Sequence, residues 1–343
     1  MIEGSDYGNV VTTIQNPTNA LRELANMSRS RGEPLFIIAD KKTPLEFSLS
    51  GTNFLSVTDQ AELPYSILRH IPWNSYTRKM LGYLEAAKSK CKFIRETDDD
   101  NFPHPSYFLD FQKNYEVRLP QVSGDWINPY IYFSDQYIWP RGYPIELIEN
   151  DREMHGKSSQ NFTYTSVSKI GVIQGLANGA PDVDALYRLI YSNSGEFKFN
   201  EQDPLLIPNG TFAPFNSQVT TWNIELLPLM YLPHTCTFRM TDIWRSFIAT
   251  YLMHYNDYNI LFTSASAFQD RNEHNLLRDF SDEVPGYIGN SRLISELKSV
   301  RISGGPLNLG RDLRNVYQHL VSQGFFESKE LMSLDSWLSD CEL

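Results

Sequence analysis

The chain opens on alternating blocks of apolar and polar positions. Residues 9–14, Asn-Val-Val-Thr-Thr-Ile, are β-branched and apolar and predict a strand. Asn16-Pro17-Thr18 then supplies a turn with a helix cap, and Ala20, Leu21, Leu24, Ala25 and Met27 recur at helical spacing. A second apolar run over 35–40 ends on Asp40, and a third extended run covers 53–57. Strand, helix and strand in such close succession predict a parallel α/β unit. Residues 74–89 read as a helix, with Met80, Leu81, Leu84 and Ala87 on one side and Arg78 and Lys79 near its start. It leads into a strand from Cys91 that stops at Asp98-Asp99-Asp100, followed by Asn101 and Pro103.

Further along, 170–176 predicts another strand, and Pro181-Asp182-Val183-Asp184-Ala185 opens a helix through Ile190. Asp182 suits the cap of that helix, which leaves Asp184 as the chemical candidate of the two. Residues 196–218 are loop-rich and would connect two lobes or cover a site. A segment from Thr237 enters an apolar helix through Leu252, and 291–343 carries helical periods without evident chemistry. The expected organisation is one α/β domain over 1–290, with a nucleotide-binding half at 9–125 and an acceptor-side half at 126–290, followed by a helical extension over 291–343.

Composition narrows the function. With 41% hydrophobic and 21% charged residues, the chain is an ordinary globular protein, and its net charge of −11 argues against nucleic acid or an anionic membrane as partner. No run of 18 or more apolar residues occurs, so no transmembrane segment is expected, and a cytoplasmic location follows as the default. Cys91, Cys236 and Cys341 are too few and too widely spaced for a disulfide framework or a zinc site.

The acidic triplet changes the picture most. Three adjacent carboxylates repel one another, and hard cations such as Mg²⁺ bind one or two carboxylates together with a substrate's phosphates. The alternative is a solvated acidic turn. Parallel sheets bind ligands beyond the carboxyl ends of their strands. Thr12, Thr13, Gln15, Asp40, Arg78 and the triplet would converge there, offering groups for the base, ribose and diphosphate of a sugar nucleotide. An aromatic block over 126–144 would supply platforms for sugar rings or simply core, with Arg141 its notable charge. His274 is a candidate third metal ligand.

Several of these segments together resemble the STELLO-type glycosyltransferases: Val10-Val11-Thr12-Thr13-Ile14-Gln15, Ala39-Asp40-Lys41-Lys42-Thr43-Pro44, Ile71-Pro72-Trp73-Asn74-Ser75-Tyr76-Thr77-Arg78-Lys79 and Glu96-Thr97-Asp98-Asp99-Asp100-Asn101. The likeness continues through 139–144, 175–187, 238–245 and 271–280. A more distant one links the chain to the reversibly glycosylated polypeptides, the UDP-arabinopyranose mutases of plants. The resemblance implies a GT-A fold, with a mixed, mostly parallel sheet flanked by helices. In that fold an Asp-x-Asp motif, here Asp98 with Asp100, holds Mn²⁺ or Mg²⁺ against a UDP-sugar, and Asp99 lies between them. Arg141-Gly142-Tyr143-Pro144 is similar to the mutase motif whose arginine is associated with reversible sugar attachment. Where those proteins carry a second arginine, this chain has Ile148. Asp242-Ile243-Trp244 is similar to the mutases' Asp-Met-Trp block and implies a place for Asp242 near sugar or acceptor.

The leading expectation is a metal-dependent glycosyltransferase moving a sugar from a UDP-linked donor to a glycan or carbohydrate acceptor. Arg78 or Lys79 would assist the diphosphate, and Asp242 would be the base if the reaction inverts. Asp242, Arg141 and Asp184 are the catalytic candidates. The alternatives are a UDP-sugar pyranose/furanose mutase and a non-catalytic scaffold for glycan-synthesis enzymes. An oligomer or a glycan-synthesis complex is among the expected partners.

Overall fold

A computed structural model describes residues 5–342 except 110, 112, 113, 157–160, 192–195 and 271–274. Strand β1 (Tyr7–Thr13) is followed by α1 (Asn19–Ser30), β2 (Leu35–Ala39), β3 (Asn53–Leu55) and the short α2 (Val57–Ala61). Next come α3 (Lys79–Lys88), β4 (Phe93–Asp98) and β5 (Asn101–Pro103). The middle of the chain holds β6 (Tyr115–Pro120), α4 (Ile148–Met154), β7 (Phe162–Val167), β8 (Ile170–Gly179) and α5 (Ala185–Ile190). It continues through β9 (Leu205–Leu206), β10 (Val219–Asn223), α6 (Thr241–Tyr255) and β11 (Asn259–Gln269) to α7 (Leu276–Ser299), α8 (Leu309–Ser322) and α9 (Lys329–Asp340).

The strands form one sheet in the order β3-β2-β1-β4-β10-β8-β11-β9-β6-β7, with β5 paired to β11. This is the mixed α/β sheet with flanking helices that the chain was expected to form. Its first four strands are parallel, and β10 then enters antiparallel between β4 and β8. Because β1 pairs in register with both neighbours, Thr13 opposite Ala39 and Thr12 opposite Asp98, the carboxyl ends of β1, β2 and β4 lie side by side. The antiparallel β10 starts at that same edge, with Val219 opposite Thr97.

Alternation along each strand sends successive side chains to opposite faces. Val10 and Ile38 join a large core shared with α3, α6, α8 and α9, while Val11 and Ile37 join a smaller one with Leu21 and Leu24 of α1. Gly82 lets α3 lie close on the sheet: a Cβ there would come within 2.4 Å of Val10 Cγ1.

Several expectations need correction. The helix expected over 74–89 begins only at Lys79, because Asn74 takes a left-handed conformation (φ 57°) and Tyr76–Arg78 forms a 3₁₀ turn. β11 is the longest strand and lies inside the sheet, yet its Thr263-Ser264-Ala265-Ser266 centre hides it from a search for continuous apolar runs. The boundary drawn at 290/291 falls inside the continuous helix α7. Tyr130, Tyr132, Phe133, Trp139 and Tyr143 of the aromatic block are buried core and not a platform for ligands. Among the described residues no helix is long and apolar enough to cross a membrane.

Candidate active site

A cleft of about 290 Å³ opens at the shared edge of β1, β2, β4 and β10. Its acidic side is built by the end of β4. Lys79 enters from the start of α3 with its ammonium fully buried, donating to Thr97 O (2.9 Å), Asp98 Oδ1 (2.8 Å) and Ser217 O (3.1 Å). The Asp98 side chain is 41% exposed and lines the cleft. Asp99 turns inward to accept from Thr13 Oγ1 at 2.5 Å, while Thr18, the N-cap of α1, donates to its carbonyl. Burial raises the Asp99 carboxyl above the usual range. Asp100 accepts from Gln269 Nε2 (3.2 Å), and burial, with the charges of Asp98 and Asp99 behind it, pushes it up to about 7.

The second wall is the loop before α3. Asp40, at the end of β2, accepts from the backbone N–H groups of Lys41, Asn74 and Ser75 at 2.6, 2.8 and 3.0 Å, which pins that loop to the sheet edge. Arg78 is 2% exposed, stacks on Trp73 with its guanidinium carbon 3.5 Å from the ring centroid, and donates through Nε to Gln60 Oε1 (2.6 Å). Gln60 is itself fixed, since its amide donates to Ala39 O and Leu55 O. Arg78 Nη2 is buried without a hydrogen-bond partner among the described residues, in a residue that lines the cleft. Burial lowers the Arg78 pKa to about 10, against the pull of Asp40, so the group stays charged at neutral pH.

The far end is a clamp. Arg141 donates from Nε and Nη2 to Asp182 (2.9 and 2.8 Å), from Nη1 and Nη2 to Asp242 (3.0 Å each), and from Nη1 to the carbonyl of Arg239. A guanidinium has five N–H donors, so all five are engaged. Asp242, at the first turn of α6, also accepts from Ser217 N (3.2 Å), and Ser217 is the residue whose carbonyl binds Lys79. The acidic side and the clamp are thus joined through Lys79 and Ser217. Burial alone would raise both carboxyls, but Arg141 outweighs it and holds Asp182 and Asp242 below the ordinary range. Gly142 makes the turn possible with φ 92°, where a Cβ would meet Ile243 Cγ2 at 2.5 Å.

The cleft therefore brings together Thr12, Thr13, Asp40, Arg78, Asp98, Asp99, Asp100, Arg141 and Asp242. It does not take in the others. Lys79 has three donors, all bonded to protein, so it supports Asp98 and is not available to a diphosphate. Gln15 does not line the cleft; its backbone N–H donates to Thr13 Oγ1. The roles assigned to Asp182 and Asp184 are reversed. Asp184 is the N-cap of α5, accepting from Tyr187 N and from Trp139 Nε1 (2.7 Å each), and is fully buried outside the cleft. Asp182 lines the cleft instead. His274 lies outside the described residues. Arg239, Phe238, Gln218 and Ser217 also line the site and were not foreseen. Gln218 and Ser217 sit in a loop-rich stretch, while Phe238 and Arg239 fall in the 238–245 segment of the resemblance, where Asp242 was the residue singled out.

Comparisons with known proteins agree with the resemblance read from the motifs. The model of the STELLO glycosyltransferases matches residues 239–343. Two Arabidopsis thaliana proteins, described as Probable glycosyltransferase STELLO1 and Probable glycosyltransferase STELLO2, are 27% and 29% identical over 96% of this chain. The match covers 44% of each, so the chain spans less than half the length of these curated relatives. A solved structure described as a mycobacterial protein overlays with a TM-score of 0.42 at 10% identity, covering 94% of this chain and 76% of the other. That likeness is too distant to bear on the site. Over 96% of its length the chain is therefore similar in sequence to proteins described as probable STELLO glycosyltransferases.

Proposed function

We propose that the chain is a metal-dependent glycosyltransferase that binds a UDP-sugar in this cleft and passes the sugar to a carbohydrate acceptor. The observation that supports it best is the convergence, at one sheet edge, of a crowded carboxylate cluster with a buried guanidinium that has donor capacity to spare. Among the described residues no group of three His, Cys, Asp or Glu side chains could hold a metal ion by itself, so a cation here would have to draw the rest of its oxygen shell from a substrate's diphosphate and water. Asp98, part-exposed, and Asp100, raised to about 7 by burial and like charge, would hold Mn²⁺ or Mg²⁺. The metal would offset charge on the leaving diphosphate.

The chain's own residues have distinct tasks in this reading. Arg78 would donate its unpartnered Nη2 to the nucleotide, with Trp73 and Gln60 fixing its plane and Asp40 fixing the loop. Asp242 is held ionised by Arg141, and so strongly stabilised a carboxylate is a weak base. Its suited task is therefore to orient hydroxyls and not to remove a proton. The mutase alternative loses its main support here, because attaching a sugar to Arg141 needs a guanidinium nitrogen not already bonded to protein.

Calorimetry with UDP-sugars in the presence and absence of Mn²⁺ tests the reading. Metal-dependent binding that disappears in Asp98→Ala/Asp100→Ala, with the far-UV circular dichroism unchanged, is the expected result. Equal binding with and without metal, or equal binding by the double variant, would reject it.

A further inference from the structure

Resting on the donor reading above, we infer that the clamp end of the cleft is a subsite for a neutral sugar ring, with Arg239 as its donor, Asp182 and Asp242 as its acceptors, and Glu283 as the residue that positions Arg239. The two guanidinium groups at this end differ in what they have left to offer. Arg141 has no N–H remaining. Arg239 donates from Nε and Nη2 to the single oxygen Glu283 Oε1, at 2.8 and 2.7 Å, and its Nη1 has no partner among the described residues. Its Nη2 is 4.0 Å from Asp182 Oδ1, so the group lies beside the clamp without closing on it.

Glu283 sits on α7, is fully buried, and accepts through its other oxygen from Ala185 N (2.7 Å) and Tyr287 OH (2.6 Å). Both oxygens are therefore committed, and the Arg239 side chain is held from behind. The acceptors are equally specific. Asp182 Oδ2 takes donors from Arg141 and Asn216, and Asp242 Oδ2 takes Arg141 and Ser217, whereas Asp182 Oδ1 and Asp242 Oδ1 each take one hydrogen bond from Arg141. A carboxylate oxygen has two lone-pair sites, so each Oδ1 can accept one more donor.

Three N–H groups of Arg239 left uncommitted, two on Nη1 and one on Nη2, beside two carboxylates with spare lone pairs suit groups that both donate and accept, which is what ring hydroxyls do. A phosphate at neutral pH presents acceptors, and the same carboxylates would repel it. Among the described residues at this end, Arg141, Arg188 and Arg239 stand against Asp182, Asp242 and Glu283, so a carboxylated sugar meets no net positive charge from them. Phe238 supplies the apolar surface. It is 55% exposed at the cleft and packs edge-on against Tyr76 at 4.7 Å, giving a ring face on which sugar C–H groups can lie.

The test is calorimetry on the full chain with Mn²⁺, using UDP, a set of neutral UDP-sugars (glucose, galactose, xylose) and UDP-glucuronate. In the wild type at least one neutral UDP-sugar should bind tighter than UDP, and UDP-glucuronate should bind about tenfold weaker than UDP-glucose. Arg239→Ala should weaken the preferred UDP-sugar about tenfold while changing UDP by less than twofold, as expected for loss of a hydrogen bond from a charged group. Glu283→Gln should move affinity in the same direction by less. Phe238→Ala, at an exposed position, gives a second reading that does not depend on the buried network and should also lower only the UDP-sugar affinity. An equal loss for UDP and UDP-sugar in Arg239→Ala, no loss in either variant, or UDP-glucuronate binding as tightly as UDP-glucose would overturn the subsite. No binding of UDP by the wild type would instead reject the donor reading itself.

Discussion

At the scale of single residues, charge and neighbours decide roles that residue type leaves open. Arg141 stands in a motif that suggests a reactive group, yet it spends every donor it has on two buried carboxylates and the carbonyl of Arg239. Removing one member of such a network strands the others, at a cost of about 3–5 kcal/mol. Arg141→Ala should therefore lower the urea midpoint sharply; an unchanged midpoint would mean that the guanidinium is not the clamp described. Asp184 shows the reverse case. Burial pushes its carboxyl from the ordinary 3.8 up to about 7, so between about pH 4 and 7 the folded chain binds a proton that the unfolded chain has lost. This contribution to stability falls as pH rises through that window and levels off above it. Asp184→Asn keeps an acceptor for the Tyr187 N–H but cannot ionise. Its stability relative to wild type should move in its favour between pH 5 and pH 8, and denaturant titrations showing the same difference at both values would contradict this. From the sequence, Asp182 and Asp184 were two acids two residues apart before a helix, and only the backbone conformation at Asp184 (φ −73°, ψ 168°) makes it the cap.

At the scale of elements, the C-terminal helices do more than cover the core. The carboxylate of Asp340, at the end of α9, accepts from the backbone N–H groups of Ser66 and Ile67 at 2.8 Å each, at the start of the turn Ser66–Arg69. Glu330, fully buried on the same helix, accepts from Tyr231 OH at 2.5 Å and from Thr235 N at 2.8 Å. The last helix therefore fastens one segment that leads to the Asn74 and Arg78 wall and another that leads to Phe238 and Arg239. Asp340→Ala should leave two backbone donors unpaired, with a loss of about 1–3 kcal/mol in denaturant unfolding; a loss well below that range would show that Asp340 does not hold the turn. The helical periods of this region are legible in its sequence, whereas its partners, from 95 to 274 positions away, are not.

At the scale of the whole molecule, local pattern and tertiary arrangement divide the explanation between them. β1, β2 and β4, the helix α3 between them and the acidic end of β4 follow from hydrophobic periodicity, because each buries its apolar side chains in a way that short-range spacing reveals. Asp98, Asp99, Asp100, Asp40 and Arg78 could be named for the same reason: they terminate strands, or open a helix, at one edge of a parallel sheet. Lys79 and Asp184 could not be sorted, because whether a charged side chain meets solvent or three protein acceptors depends on segments brought in from elsewhere. The far end of the cleft is the clearest case. Asp182, Asp242, Arg239 and Glu283 come from segments spread over about a hundred residues, and their charges acquire meaning only when the end of β8, α6 and α7 place them around Arg141. Local spacing is enough to yield a parallel α/β half ending in a carboxylate cluster. Which carboxylates face the cleft, which cations are already neutralised and which still have a hydrogen bond to offer were decided by the tertiary structure, because acceptor and donor capacity is a property of the completed neighbourhood.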